Sequence, residues 1–152
     1  MTARAALLHP IVLGAIALLA INDHVLKGVA PGVLTGKLSD VAGMIFFPVF
    51  LAALLELFRV RGRLVLGCAI ATGLVFAATK TIPPAAEAYR YGLAILQWPF
   101  HAIASLLRGH GTPGVAPVAM TMDPTDLIAL PALAIPVWLT RQRIGTSRVS
   151  AV

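Results

Sequence analysis

The stretch Val41–Phe58, VAGMIFFPVFLAALLELF, is 18 residues long and holds one ionisable side chain, Glu56, near its end. A helix that crosses a bilayer needs about 20 mostly apolar residues. Val41–Phe58 is therefore read as a membrane span, and the flanking sequence is read outward from it. Downstream lies a short arginine-rich turn, then a second apolar run from Leu64 to Thr79. Upstream, Ala5 to Ile21 is apolar except for His9, which precedes Pro10 and is read as a helix-end histidine. A fourth run starts near Thr125 and ends near Thr140, interrupted by Pro131 and Pro136. Prolines in lipid need neighbouring helices or water to satisfy the carbonyls they free. This span is expected to be kinked and packed against protein. Arg4, the apolar run and Ala15-Ile16-Ala17 also have the make-up of a signal peptide. The run continues into Asn22-Asp23-His24 and three further spans follow, so a retained helix is the expectation.

Composition agrees with this reading. Apolar residues make up 59% of the 152 and charged residues 12%, where an ordinary soluble domain carries about 25% charged residues. This excludes a disordered chain, a collagen-like chain and nearly every water-soluble globule. The lone Cys68 leaves no internal disulfide framework. The predicted fold class is all-α: a polytopic membrane protein with four transmembrane helices in a bundle plus one interfacial amphipathic helix. It is read as one membrane domain over residues 1–152.

The interfacial helix is read over residues 86–108. Tyr89, Leu93, Leu96, Phe100, Ile103 and Leu107 share one face at about 100° per residue. Arg90, Gln97, His101, Ser105 and Arg108 share a second face roughly 100° away. Tyr89, Tyr91 and Trp98 belong to residue types that favour the membrane–water boundary. A bend is expected at Pro99. The alternative is a fifth span over Tyr91–Leu107. The stripe also has a plain structural reading, as a cover for the other helices.

Charge sets the orientation, because cytoplasmic loops gather Lys and Arg. With four spans, one side receives Arg4, Arg59, Arg61, Arg63, Arg141, Arg143 and Arg148 against Glu56 alone. The other side receives Lys27, Lys37, Lys80, Arg90 and Arg108 against Asp23, Asp40, Glu87, Asp123 and Asp126. All of the net charge of +6 thus falls on one side. The expected location is the bacterial inner membrane, multi-pass, with both termini and the tail 141–152 cytoplasmic. The arginines are read as topology anchors that attract anionic headgroups. No basic patch interleaved with aromatics is present, so no nucleic-acid partner is expected.

Candidate chemistry gathers on the balanced, outer side: Asn22, Asp23, Lys27, Lys37, Ser39, Asp40, Lys80, Asp123 and Asp126. Ionisable groups at the edge of hydrocarbon are costly unless paired or hydrated. One reading is a paired lysine–aspartate network. The other is helix capping: Asp123-Pro124-Thr125-Asp126 is a good helix start, and Ser39 or Asp40 can cap the second span. Lys27 and Lys80 complement the dipoles at helix ends. Thr35-x-x-x-Ser39-Asp40 and Thr121-x-x-x-Thr125-Asp126 echo one another ahead of spans two and four. Two similar hairpins related by an axis along the membrane normal would account for that. Gly14, Ala15, Gly67, Ala71 and Gly73 are expected at close helix contacts. Gly36-Lys37 lacks the remainder of a phosphate-binding loop. Asp23, His24, Asp40 and Asp126 have no spacing that demands a metal, and no cofactor is expected.

Gly36-Lys37-Leu38-Ser39-Asp40-Val41-Ala42-Gly43 is similar to the short G-x-L-[SA]-D-x-x-G loop of major facilitator transporters, over 8 residues of 152. Met44-Ile45-Phe46 stands where that family has basic residues. The family's loop is cytoplasmic, and this chain is far too short for twelve spans, so no function is carried across. The longer string Leu34–Pro48 resembles uncharacterised small bacterial membrane proteins, which implies a class without an activity.

Three functions remain. The first is transport or permeation of a small solute or ion, as a homo-oligomer. The second is an accessory or assembly subunit of a larger membrane complex. The third is a membrane enzyme acting on a lipid or quinone; no nucleophile–base pair or metal set is visible for it, so a non-enzymatic role is favoured. The lipid bilayer is the partner common to all three. Four spans make a direct forecast. A phosphatase reporter that needs an oxidising compartment is expected to be active when fused after Gly111 and inactive when fused after Val152. A fifth span would reverse both results.

Overall fold

The structure, a computed structural model, describes residues 1–29, 32–60 and 63–146. For Lys27 and residues 142–146 the backbone alone is described. Arg61, Arg148 and the side chains of Lys27 and Arg143 therefore lie outside the described residues. Every regular element among the described residues is helical. In order these are α1 (Ala3–Leu7), α2 (Pro10–Ile21), a π-helical turn (Asn22–Leu26), α3 (Lys27–Val29), α4 (Val33–Leu57), α5 (Leu64–Thr81), α6 (Pro83–Leu107), a 3-10 segment (Pro124–Leu133) and α7 (Ala134–Thr146). Two of them, α4 and α5, are long and apolar enough to cross a membrane.

The residues read as one domain group into two compact units. The first comprises residues 1–75 and 126–152, and the second residues 76–125. In the first unit α1 and α2 pack along α4, and α7 packs on α4 and α1. Most of the buried residues at these contacts are small. Ala3, Ala52, Ala53, Val65 and Cys68 form one buried cluster, and Ala6, Val12, Val49 and Leu139 form another. Alanine lets helix backbones approach closely, which suits packing in lipid where apolar side chains gain little from mutual burial.

Several local expectations change. The first span is broken: α1 stops at Leu7, and His9 takes an extended conformation (φ −70°, ψ 137°) ahead of Pro10. The pyrrolidine ring disfavours helical geometry in the residue before it. The Nδ1 of His9 accepts from the Ile11 N–H at 3.3 Å and caps α2. The second helix starts at Val33, eight residues before the apolar run that was read as the span. Ser39 and Asp40 therefore lie inside α4 and do not cap it. The cap is made by Thr35, whose Oγ1 accepts from Gly32 N–H at 3.1 Å and donates to Gly32 O at 2.8 Å. The fourth run is a 3-10 segment for ten residues before α7 begins. The helix read over 86–108 forms as α6, and it continues through Pro99.

The expected small-residue contacts are fewer than the sequence suggests. Ala15 is buried, and a Cβ on Gly73 would meet Leu133 Cδ1 at 2.8 Å. Gly14 and Gly67 have nothing within 4 Å of such a position, and Ala71 is exposed.

In the second unit α6 ends in a tight reversal. Gly109 takes φ +76°, its N–H donates to Leu106 O at 3.0 Å, and His110 N–H donates to Ser105 O at 3.0 Å. These are the paired bonds of a Schellman motif, in which glycine is favoured because a Cβ resists the left-handed conformation. The chain then returns along α6. Arg90 Nε donates to Val118 O at 2.9 Å, and Val118 N–H donates to Arg90 O at 3.3 Å.

Glu56 has a defined task in the first unit. Its Oε1 accepts from Ala3 N–H at 2.6 Å and its Oε2 from Arg4 N–H at 3.1 Å. The carboxylate thus satisfies two orphan donors at the start of α1 and complements its dipole. Hydrogen bonds to a charged group are worth about 1.5–3 kcal/mol. Replacing Glu56 by Ala should lower stability by about 2 kcal/mol, and Glu56→Gln, with one acceptor left, by about half that. Thermal unfolding in detergent reads both values.

Candidate functional site

The polar residues singled out in the sequence lie in both units, and each unit has its own described bonds. At the junction of α2 and the π-helical turn, Asn22 is fully buried. Its Nδ2 donates to Thr35 O at 2.7 Å and to Ser39 Oγ at 2.6 Å. Ser39 Oγ in turn donates to Asp23 Oδ1 at 3.0 Å. The orientation of the amide follows from these partners. Thr35 O can only accept, so the nitrogen of the amide must face it. That leaves Asn22 Oδ1 buried with no hydrogen-bond partner among the described residues. An unpaired buried acceptor costs about 1–3 kcal/mol. It sits beside a π-helical turn, a geometry that is rare and frequent at functional sites.

The first two turns of α4 carry the rest of this group. Thr35, Lys37, Ser39 and Asp40 follow one another along its N-terminal end. Lys37 Nζ meets Asp126 Oδ1 at 3.0 Å, with the two side chains 25% and 11% exposed. Asp126 is buried in the first turn of the 3-10 segment, so this pair ties that segment to α4. Asp40 is half-buried on α4.

Lys80 and Asp123 belong to the second unit. Lys80 is buried near the end of α5, 3.4 Å from Thr121 O and 5.5 Å from the centre of the Phe76 ring. Asp123 Oδ1 accepts from Thr125 N–H at 2.9 Å and from Thr125 Oγ1 at 2.8 Å. Here the helix-start reading of Asp123 applies, because its carboxylate binds the donors of the first turn. The sequence echo between Thr35–Asp40 and Thr121–Asp126 does not correspond to one local structure. Thr35 caps a helix and Ser39 lies within it, whereas Thr121 precedes a 3-10 segment that begins at Pro124.

Sequence reading missed two features. Thr35 supplies both the cap of α4 and the carbonyl that orients Asn22. The π-helical turn has no periodicity that would announce it. Among the described residues no three His, Cys, Asp or Glu side chains gather as a metal site. No family model, no curated protein and no solved structure matches the chain. The class defined by fold and site is thus an all-helical protein built around two helices able to cross a membrane, with a buried polar group at the N-terminal end of the longer one.

The Lys37–Asp126 pair makes a direct stability forecast. Removing one partner of a largely buried pair costs about 3–5 kcal/mol, because the other charge stays behind, whereas an apolar replacement of both is often neutral. Lys37→Met and Asp126→Leu each remove the 3.0 Å contact and are expected to destabilise, and the double variant by less than the sum of the two. Thermal melts of the three proteins in detergent give the coupling.

Proposed function

We propose that this chain is a multi-pass protein of the bacterial inner membrane that transports or admits a small solute or ion as an oligomer, through the polar group around Asn22. One observation carries the proposal: the buried amide oxygen of Asn22 has no partner among the described residues, while the nitrogen of the same amide is linked through Ser39 to the carboxylate of the next residue, Asp23. A buried acceptor next to a carboxylate suits a cation, a protonated group or a water in transit. Transporters use interrupted helices in this way, since the break turns polar atoms toward the pathway.

The membrane setting has its own support. A helix of 25 residues is roughly 37 Å long at 1.5 Å per residue, and the hydrocarbon core is about 30 Å thick. A surplus of roughly five residues lets the first turn of α4, as far as Lys37, stand outside the hydrocarbon, with Ser39 and Asp40 just within its edge. Residues assigned to one side by charge also meet in pairs: Arg4 with Glu56 at 3.5 Å, and Lys37 with Asp126 at 3.0 Å. In the four-span arrangement both termini are cytoplasmic and α6 lies in the interface. Leu96, Phe100 and Leu107 on its apolar face are 68%, 73% and 83% exposed, which lipid would cover. Four short spans enclose little of a pathway, so copies of the chain complete it.

A second reading, an accessory subunit of a larger membrane complex, is favoured by that same exposed face of α6 and by the mutual pairing of the polar group, which would then act as a folding latch. The two readings separate on one experiment. The protein is reconstituted in vesicles of phosphatidylethanolamine and phosphatidylglycerol that enclose proton- and sodium-sensitive dyes. Transport is expected to dissipate an imposed gradient at least tenfold faster than empty vesicles do. Asn22→Leu should abolish that flux at normal folded yield. Absence of flux from the unaltered protein, or flux untouched by Asn22→Leu, would overturn the transport reading. Loss of folded yield in both Asn22→Leu and Asn22→Ala would favour the latch.

A further inference from the structure

We propose that the cleft between α6 and the returning segment 110–118 binds a phosphate group, carried by the headgroup of an anionic lipid. The cleft lies within the second unit and has a volume of about 370 Å³. Small-molecule sites span about 300–1,000 Å³, so this one has room for a headgroup and not for a whole lipid.

Its walls are held in place by their own bonds. Trp98 Nε1 donates to Pro113 O at 2.8 Å, and Ser105 Oγ donates to Gly111 O at 2.8 Å. The Schellman reversal at Gly109 fixes where the segment departs from α6. Polar side chains that face the cleft thus meet a backbone already positioned, which lowers the ordering cost of binding.

The remaining polar lining holds one guanidinium, neutral donors and no acid. Gln97, His101, Arg108 and His110 border the cleft, and no Asp or Glu does. Among the described residues no hydrogen bond or ion pair engages these four side chains. A guanidinium presents five donors in a fork that matches phosphate oxygens. Two imidazoles and a carboxamide add further donors. An uncommitted donor set without an acid selects an oxyanion over a cation or a neutral sugar.

The source of the phosphate follows from what lies beside the cleft. The exposed stripe of Leu96, Phe100 and Leu107 runs along α6 roughly 100° from the lining face. With that stripe in the acyl region, the cleft stands at headgroup height. This assignment of the source rests on the interfacial placement of α6 proposed above, whereas the oxyanion chemistry does not. Neither depends on the polar group around Asn22.

The test uses the full chain in maltoside micelles with Trp138→Phe, which leaves Trp98 as the one tryptophan of the two in the sequence. Its emission is followed during titration with short-chain phosphatidylglycerol, with diacylglycerol of the same chain length, and with inorganic phosphate. A saturable change with phosphatidylglycerol and none with diacylglycerol is expected, at least tenfold weaker in Arg108→Gln and partly retained in Arg108→Lys. Saturation by inorganic phosphate at equal affinity would keep the oxyanion site and overturn the lipid source. No saturable change with either phosphate compound, or unaltered affinity in Arg108→Gln combined with His101→Gln and His110→Gln, would overturn the proposal. Circular dichroism and elution volume report folding. If Arg108→Gln fails to fold, His110→Gln, on the returning segment, is expected to weaken binding at least threefold, and unchanged binding there would overturn the proposal.

Discussion

The first unit depends on a contact between residues 89 positions apart in the chain, the 3.0 Å pair of Lys37 and Asp126. Both charges are largely withdrawn from solvent. A charge in that position persists only when something of opposite sign meets it. The pair therefore constrains more than itself. It holds the 3-10 segment against α4, and α7, which continues from that segment, then packs on α4 and α1. Apolar attraction supplies the bulk of such packing in water, but between helices in lipid it supplies little.

The same reasoning applies two residues further along α4. Ser39 joins Asn22 and Asp23, so the junction of α2 and the π-helical turn is bound to the helix that follows it. At the opposite end of α4, Glu56 binds the first N–H groups of α1. The long apolar helix thus carries polar fastenings near both termini and small residues between them: Ala42, Ala52 and Ala53 are buried along its length. Pro48 is buried within it as well. Among the described residues just past its end, Arg59 takes a left-handed backbone at φ +60°. A non-glycine residue in that conformation costs of order 1–2 kcal/mol. The reversal is still stabilised by Arg59 N–H and Val60 N–H donating to Glu56 O and Leu55 O, each at 3.1 Å.

Helix type and location along the chain were visible in hydropathy where the signal is long and one-sided. The run read at 41–58 falls in α4 up to its C-cap Phe58, the run at 64–79 lies within α5, and the amphipathic period of residues 86–108 marks α6 up to its C-cap Arg108. Where expectation failed, short-range polar chemistry or proline geometry had decided the structure. The start of α4 is set by Thr35 and Gly32, which hydropathy does not register. Pro10 splits the first apolar run, and Pro131 lies in a 3-10 segment where a regular span was expected. Of the nine candidate site residues, the structure joins Asn22 with Asp23 and Ser39, and Lys37 with Asp126. In the other unit Lys80 bonds the distant Thr121 O and Asp123 bonds its near neighbour Thr125.

Residue order alone was enough to establish an all-helical chain with apolar helices of membrane-crossing length, because period and hydropathy are properties of neighbouring residues. It also picked out the residue types that carry charge at helix ends. Which of those charges face one another was settled by the fold, since Lys37 and Asp126 share no local pattern. So was the unsatisfied oxygen of Asn22. Its state depends on the direction of an amide held by Thr35 and Ser39, and that direction exists only after α2 and α4 have packed together.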